Sequence, residues 1–108
     1  MLEINRNNIT LTRGDAMTLT VGMVKNGQAY TPAPEDVIRF AVSTGYKGDP
    51  NYSLIYSTEI DHDSLTFTVA NTSGWTADSY NYDVEITYED GTPDTFISGQ
   101  IYMVGECK

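Results

Sequence analysis

The stretch YNYDVEITYEDGTPDTFISGQIYMV, residues 80–104, contains two runs of alternating apolar and polar side chains separated by Asp90-Gly91. Successive side chains of a strand point to opposite faces of a sheet, so this alternation predicts two strands that each bury one face. Because Asp-Gly favours a two-residue type I′ turn, we expect the two strands to form a β-hairpin. The predicted buried set is Tyr80, Tyr82, Val84, Ile86 and Tyr88 in the first run and Ile97, Gly99, Ile101 and Met103 in the second.

The same two-residue period recurs upstream of this hairpin. Asn26-Gly27 predicts a second type I′ hairpin, and the prolines of TPAPEDV, residues 31–37, disfavour strand pairing there. Residues 71–79, NTSGWTADS, are predicted to form one short helical or 3₁₀ turn capped by Asn71 or Thr72, with Trp75 and Ala77 turned inward. The alternating apolar positions are Ile9 and Leu11, then Met17, Leu19, Val21 and Met23, then Ile38, Phe40 and Val42, then Leu54, Tyr56 and Ile60, then Leu65, Phe67 and Val69.

These patterns predict the fold class. We expect an all-β chain that forms a single immunoglobulin-like antiparallel β-sandwich of about seven strands. A chain of 108 residues has room for one modest core, so one domain is expected over residues 1–108, with its core at roughly residues 8–104. The predicted core consists of Leu19, Val21, Phe40, Val42, Phe67, Val84, Ile86 and Ile101.

The charge balance restricts the classes of partner. Fifteen acidic and six basic residues give a formal net charge of −9. Nucleic-acid phosphates and anionic membranes are bound by basic surfaces, so neither is expected as a partner. Cys107 is the single cysteine, which excludes an intrachain disulfide and a thiolate zinc site. The first residues lack the basic and apolar regions of a signal peptide, so we expect synthesis in the cytoplasm.

An acidic segment is the place where the sequence suggests a metal. In EIDHD, Glu59, Asp61 and Asp63 share one face of an extended segment, with His62 opposite. Calcium needs about six to eight converging oxygens, usually from a D-x-D-x-D-G loop, which this sequence lacks. A solvated polar face is therefore the simpler interpretation, with weak calcium binding as the alternative. No nucleophile motif accompanies the single histidine, so we expect no catalytic site, no cofactor and no small-molecule substrate.

Arg13-Gly14-Asp15 is the tripeptide that integrins recognise in other proteins. It lies between two predicted strands, where Gly14 supplies a permissive φ for a turn and Asp15 can bond nearby backbone. Display at the tip of a hairpin would suit an adhesion ligand, but a turn of this kind needs no receptor. Without a secretion signal, a structural turn is favoured over adhesion.

The last predicted strand offers a surface for docking. Residues 95–104 carry no charge, and Phe96 and Tyr102 fall on the face opposite the buried set. If the strand lies at the edge of its sheet, this surface is expected to dock a second copy or another protein. If the strand is internal, the two aromatic side chains are expected to pack under a neighbouring loop.

Three segments together resemble the immunoglobulin-like N-terminal domain of baseplate upper proteins from phages of Gram-positive bacteria. They are ITLTRGDAMTLTV, residues 9–21, DVIRFAV, residues 36–42, and residues 65–104, so the resemblance covers roughly residues 8–104. It rests on an I-x-x-x-R-G-D-x-x-x-L-x-V opening, a Y-x-Y-D-V strand before a D-G hairpin, and Gly99 two residues before Ile101. The resemblance implies a virion component in which the Arg-Gly-Asp is a local turn.

Three functions from different classes are therefore considered. The leading one is a non-enzymatic structural or interaction module of a phage or prophage tail or baseplate, docking to other tail proteins or to itself. The first alternative is a carbohydrate-binding or cell-surface adhesion β-sandwich domain, and the second is a calcium-dependent enzyme accessory domain. Neighbouring genes for tail proteins would favour the first function, and binding to a polysaccharide would favour the first alternative.

Overall fold

The chain folds as strands wherever regular structure occurs. The computed structural model describes residues 2–5, 7–46 and 48–105. No helix occurs among these residues, so none there could cross a membrane. The predicted all-β class is confirmed. The strands of the described residues are β1 (Leu2–Asn5), β2 (Asn8–Thr12), β3 (Met17–Thr20), β4 (Val24–Lys25), β5 (Gln28–Ala29), β6 (Val37–Thr44), β7 (Ser53–Ile60), β8 (Thr66–Val69), β9 (Ser79–Thr87) and β10 (Pro93–Val104).

Six strands form one large sheet in the order β1-β2-β10-β9-β6-β7. Neighbouring strands pair antiparallel except β2 and β10, which run parallel with Ile9 beside Ile101 and Leu11 beside Met103. The predicted purely antiparallel arrangement is therefore wrong at this pair, and the sheet is mixed. The two-residue period shows which face of a strand is buried, but it carries no information on the direction of the neighbouring strand.

A smaller sheet covers the inner face of the large one. β3 and β8 pair antiparallel, and the ring centroid of Phe67 on β8 lies 4.4 Å from that of Phe40 on β6. Burial of apolar side chains between the two layers is the main stabilising contribution to such a fold. Every predicted core residue is buried except Leu19, which packs half-buried against the same core.

The two predicted hairpin turns have different geometries. At Asn26-Gly27 both residues have positive φ, 53° and 78°, so the predicted type I′ turn between β4 and β5 is confirmed. Between β9 and β10 only Gly91 has positive φ, and the Gly91 N–H donates to the Tyr88 carbonyl at 2.8 Å. The prediction of type I′ is wrong there, since this pattern is a type I turn followed by a glycine bulge. The Asp90 carboxylate accepts the N–H of Thr92, which closes the turn and lowers the pKa of Asp90.

Gly99 on β10 allows a close approach of the chain that enters β2. A Cβ at this position would lie 2.0 Å from the carbonyl oxygen of Asn7. The same carbonyl accepts a hydrogen bond from the hydroxyl of Tyr82, the cross-strand neighbour of Gly99. Burial raises the pKa of that hydroxyl. The absent side chain at Gly99 thus permits both the contact with Asn7 and its hydrogen bond.

Truncating the central aromatic ring is the first test of the core. Phe40 is fully buried, so Phe40→Ala is expected to lower the free energy of unfolding by about 3–5 kcal/mol, through lost burial and an unfilled cavity. Val24→Ala, at a side chain that is 62% exposed, is the control and is expected to change it by less than about 0.5 kcal/mol. Urea denaturation measures both, and equal losses would contradict the assigned core.

A pair of glycine substitutions tests the contact at β10. Gly99→Ala is expected to lower the free energy of unfolding by about 2 kcal/mol or more, because the new methyl group must displace the Asn7 backbone. Gly22→Ala is the matched control, since a Cβ there would meet no atom within 4 Å. The same denaturation experiment compares the two variants, and similar stability for both would show that the Asn7 backbone moves aside without cost.

Candidate functional site

Arg13-Gly14-Asp15 forms the turn by which the chain leaves the large sheet for the small one. The Asp15 N–H donates to the Thr12 carbonyl at 3.0 Å, and Gly14 has a φ of 97°. Positive φ at the third residue of a four-residue turn is the geometry of type II, which favours glycine there. The turn therefore joins β2 in one layer to β3 in the other.

Arg13 fixes this turn to a second crossing between the layers. Residues 70–78 carry the chain back from β8 to β9, and the Arg13 side chain donates to two of their carbonyl groups. Nε reaches the Trp75 carbonyl at 2.8 Å and Nη2 reaches the Ala77 carbonyl at 3.0 Å. The planar guanidinium holds its donors in a fixed fork, so both bonds restrain the same loop. The backbone N–H of Arg13 also donates to the Val104 carbonyl, at the end of β10.

Thr72 completes the link from the other side. Its side chain is fully buried, and its Oγ1 accepts the Gly14 N–H at 3.0 Å while donating to the Asp15 carbonyl at 2.9 Å. We call these bonds, together with those of the Arg13 side chain, the crossover contact. The hydroxyl that would cap a helix is thus bonded to the other crossing. That is one reason why residues 71–79 contain a single turn rather than a longer helix. The Trp75 N–H donates to the Thr72 carbonyl at 3.0 Å, so the predicted short helical or 3₁₀ turn is confirmed as one i→i+3 turn.

Packing beneath the loop holds the crossover contact from inside. Trp75 is buried, as predicted, and its ring centroid lies 5.5 Å from that of Tyr80 and 6.0 Å from that of Tyr56. The Tyr80 hydroxyl accepts the N–H of Ala77 at 2.9 Å. The loop that supplies carbonyl groups to Arg13 is therefore anchored by an aromatic cluster.

The geometry of the tripeptide argues against adhesion. An integrin ligand must present its arginine and aspartate side chains to a receptor, whereas Arg13 is half-buried and bonded to two carbonyl groups of its own chain. Gly14 and Asp15 are also half-buried, with backbone groups bonded to Thr72. Receptor binding would have to break these bonds first.

The acidic segment 59–63 does not gather ligands for a metal. Asp61 accepts the Ser64 N–H at 2.9 Å, and this bond is the main reason why the pKa of Asp61 is lowered. Asp63 lies 3.3 Å from Nε2 of His62. No group of three or more His, Cys, Asp or Glu side chains within the described ranges, which include Glu59, is placed to hold a metal ion. Cys107 lies outside the described residues.

Phe96 and Tyr102 do not form one surface. β10 lies between β2 and β9 and is internal to the sheet, so its interpretation as an open edge is wrong. Phe96 is the extra residue of a β-bulge in β10, half-buried with its ring centroid 5.6 Å from that of Tyr30. Tyr102 is 40% exposed, about 20 Å farther along the strand at ~3.3 Å per residue. Docking through Tyr102 stays a prediction.

The free edges of the large sheet are β1 and β7. β7 carries no charged residue from Ser53 to Thr58, and on it Leu54 and Ile55 are 54% and 38% exposed. Its register with β6 skips Ile55, so a bulge interrupts the strand at this point. The alternation of apolar and polar residues in this segment is weak, because a bulge breaks the two-residue period.

Neither a family model, nor a curated protein, nor a solved structure matches the chain. We therefore infer its function from the contacts within its own structure. The sequence led to the tripeptide, but it did not reveal that Thr72 binds it, because contacts between distant residues leave no local pattern. The sequence did predict that Asn71 or Thr72 accepts a backbone N–H as a cap. Thr72 does accept one, but the N–H belongs to Gly14 of the other crossing.

Removing the Thr72 hydroxyl tests the crossover contact. Thr72→Val keeps the shape of the side chain but leaves the Gly14 N–H and the Asp15 carbonyl without their partner, so we expect a loss of about 2 kcal/mol in the free energy of unfolding. Thr68→Val is the control, because its hydroxyl bonds Thr18 on the exposed face, and a change within about 0.5 kcal/mol is expected. A Thr72→Val protein as stable as the control in urea denaturation would exclude this role.

Proposed function

We propose that the chain is an immunoglobulin-like, non-enzymatic docking module of a phage or prophage tail or baseplate. It acts in the virion by binding other tail proteins or a second copy of itself. Four observations support the proposal: the sequence resemblance, the order of strands in the two sheets, the position of Tyr80, and the exposed edge of β7. The observation that carries the docking role is the free edge of β7 with its exposed Leu54 and Ile55.

The neighbours within each sheet support an immunoglobulin-like topology. In such domains strands C, F and G lie in one sheet, with C′ added in the variable type, and strands B and E lie in the other. Here β10-β9-β6-β7 have the adjacency of G-F-C-C′, and the β3–β8 pair has that of B and E. The chain order of these strands agrees with the same assignment.

Tyr80 adds a local resemblance. Immunoglobulin-like sandwiches often carry a tyrosine near the start of strand F whose hydroxyl bonds the backbone a few residues upstream. Tyr80 is the second residue of β9, and its hydroxyl is bonded to the N–H of Ala77. Tyr82 then occupies the inner position two residues on, where antibody domains have a cysteine.

The β7 edge favours docking through side chains. An unpaired edge can template another strand, but the bulge at Ile55 interrupts the regular row of free peptide groups. Leu54 and Ile55 are adjacent apolar side chains that remain exposed in the isolated chain. Burying both in an interface would remove apolar area from water at roughly 25 cal/mol per Å².

A charge introduced at this edge tests the proposal. The Leu54→Lys, Ile55→Lys variant is expected to bind at least about tenfold more weakly, because charged side chains at the centre of an interface must be desolvated. Val24→Lys, at an exposed apolar position on the β4–β5 hairpin, is the control and is expected to bind as the wild type does.

Two measurements provide the readout. Sedimentation velocity over a concentration series reports self-association, and biolayer interferometry reports binding to each purified tail and baseplate protein encoded beside the gene. Wild-type protein that stays monomeric and binds none of those proteins would overturn the docking function. Unchanged binding by the double variant would overturn the assignment of the β7 edge.

A further inference from the structure

The outer face of the large sheet, opposite the core, contains a groove of about 370 Å³. Its floor consists of two cross-strand rows of side chains from β6, β9 and β10. One row is Ser43, Asn81 and Gln100, and the next contains Asp83 and Ser98. Small side chains at the flanking positions leave the depression.

Two amide side chains in the groove are held by bonds to neighbouring groups. Asn81 Nδ2 donates to the Gly45 carbonyl at 2.8 Å, which leaves Oδ1 as an acceptor. Gln100 Oε1 accepts a hydrogen bond from the Tyr102 hydroxyl, which leaves Nε2 as a donor. Because Asn81 and Gln100 are direct cross-strand neighbours, an acceptor and a donor belong to adjacent positions of the same row.

An aromatic ring stands at the rim of this polar groove. Tyr46 is 64% exposed, the highest exposure among the large apolar and aromatic side chains of the described residues. The preceding residue, Gly45, has a φ of 74°, and a Cβ there would lie 3.0 Å from the Asn51 carbonyl oxygen. The loop is therefore shaped by a glycine and anchored by Asn81. Its exposed ring borders the amide and hydroxyl groups.

We propose that this groove binds a neutral saccharide. Sugar hydroxyls both donate and accept hydrogen bonds, which suits paired amides with serine hydroxyls, and the C–H face of a sugar ring packs on an aromatic ring. The volume lies at the lower end of the ~300–1,000 Å³ typical of ligand sites, enough for about one or two sugar rings. A net charge of −9 disfavours an acidic sugar.

This site adjoins the β7 edge, because Leu54 is the cross-strand neighbour of Ser43 in the groove floor, but it is lined by other side chains. Neither Leu54 nor Ile55 lines the groove, so saccharide binding and protein docking involve different side chains. Loss of one activity in a variant is expected to leave the other intact, and failure of one proposal does not affect the other.

An NMR titration tests the saccharide site. ¹⁵N-labelled wild-type protein is titrated with four probes: chitotriose and maltotriose as neutral saccharides, trigalacturonate as an acidic one, and trilysine as a basic peptide. We expect at least one neutral saccharide to shift the backbone amides of Asn81, Ser98 and Gln100 in a saturable manner. Neither trigalacturonate nor trilysine is expected to bind as tightly.

Variants then locate the binding. Tyr46→Ala is expected to weaken the saccharide at least about tenfold, since exposed aromatic contacts often dominate such interfaces, while Tyr46→Phe, which keeps the ring, retains most of the affinity. Val24→Ala is the exposure-matched control outside the groove. The proposal is overturned if no neutral saccharide shifts the groove, if a charged probe binds as tightly, or if Tyr46→Ala binds like the wild type.

Discussion

The chain must pass between two layers of sheet twice at one end of the molecule, and the crossover contact ties the two passages together. Arg13 and Thr72 supply its side-chain donors and acceptor, and the backbone of the opposite crossing supplies the rest. Polar backbone groups at such a crossing have no ladder partner, so leaving them unpaired where water is excluded would cost free energy. This link also fixes how β3 and β8 lie over the large sheet.

The two-layer arrangement leaves the large sheet with one buried face and one exposed face. The inner face of the large sheet is committed to the core, where Phe40 and Ile86 are fully buried. The outer face and the two free edges do not pack in that core. Tyr46 on the outer face and Leu54 at the β7 edge are exposed at a cost in solvation that the fold does not require. Those surfaces are therefore available for binding.

The alternation of side chains was enough to predict most of the buried face. Phe67, Val84 and Ile101 are buried as the two-residue period predicted, because the period follows from strand geometry alone. A second local rule predicted the Asn26-Gly27 turn, because its positive φ values depend on the identity of two adjacent residues. Local rules worked wherever the interaction itself is local.

The remaining features depend on contacts between distant residues. The parallel pairing of β2 with β10, the bond between Thr72 and Gly14, and the bulge at Phe96 each need the position of another segment. The groove on the outer face could not be predicted from the sequence for the same reason. Asn81 and Gln100 are unremarkable polar residues of two strands until their register makes them neighbours.

The parallel pair has a consequence for how the protein is made. On the ribosome β2 emerges early and can form its local hairpin with β1, but its other edge has no partner until β10 has been synthesised. β10 must then enter between β2 and β9, two strands that already exist. Contacts between segments this far apart in sequence close a large loop, and such contacts generally form slowly. Until β10 pairs, the edges of β2 and β9 that face it have no neighbouring strand.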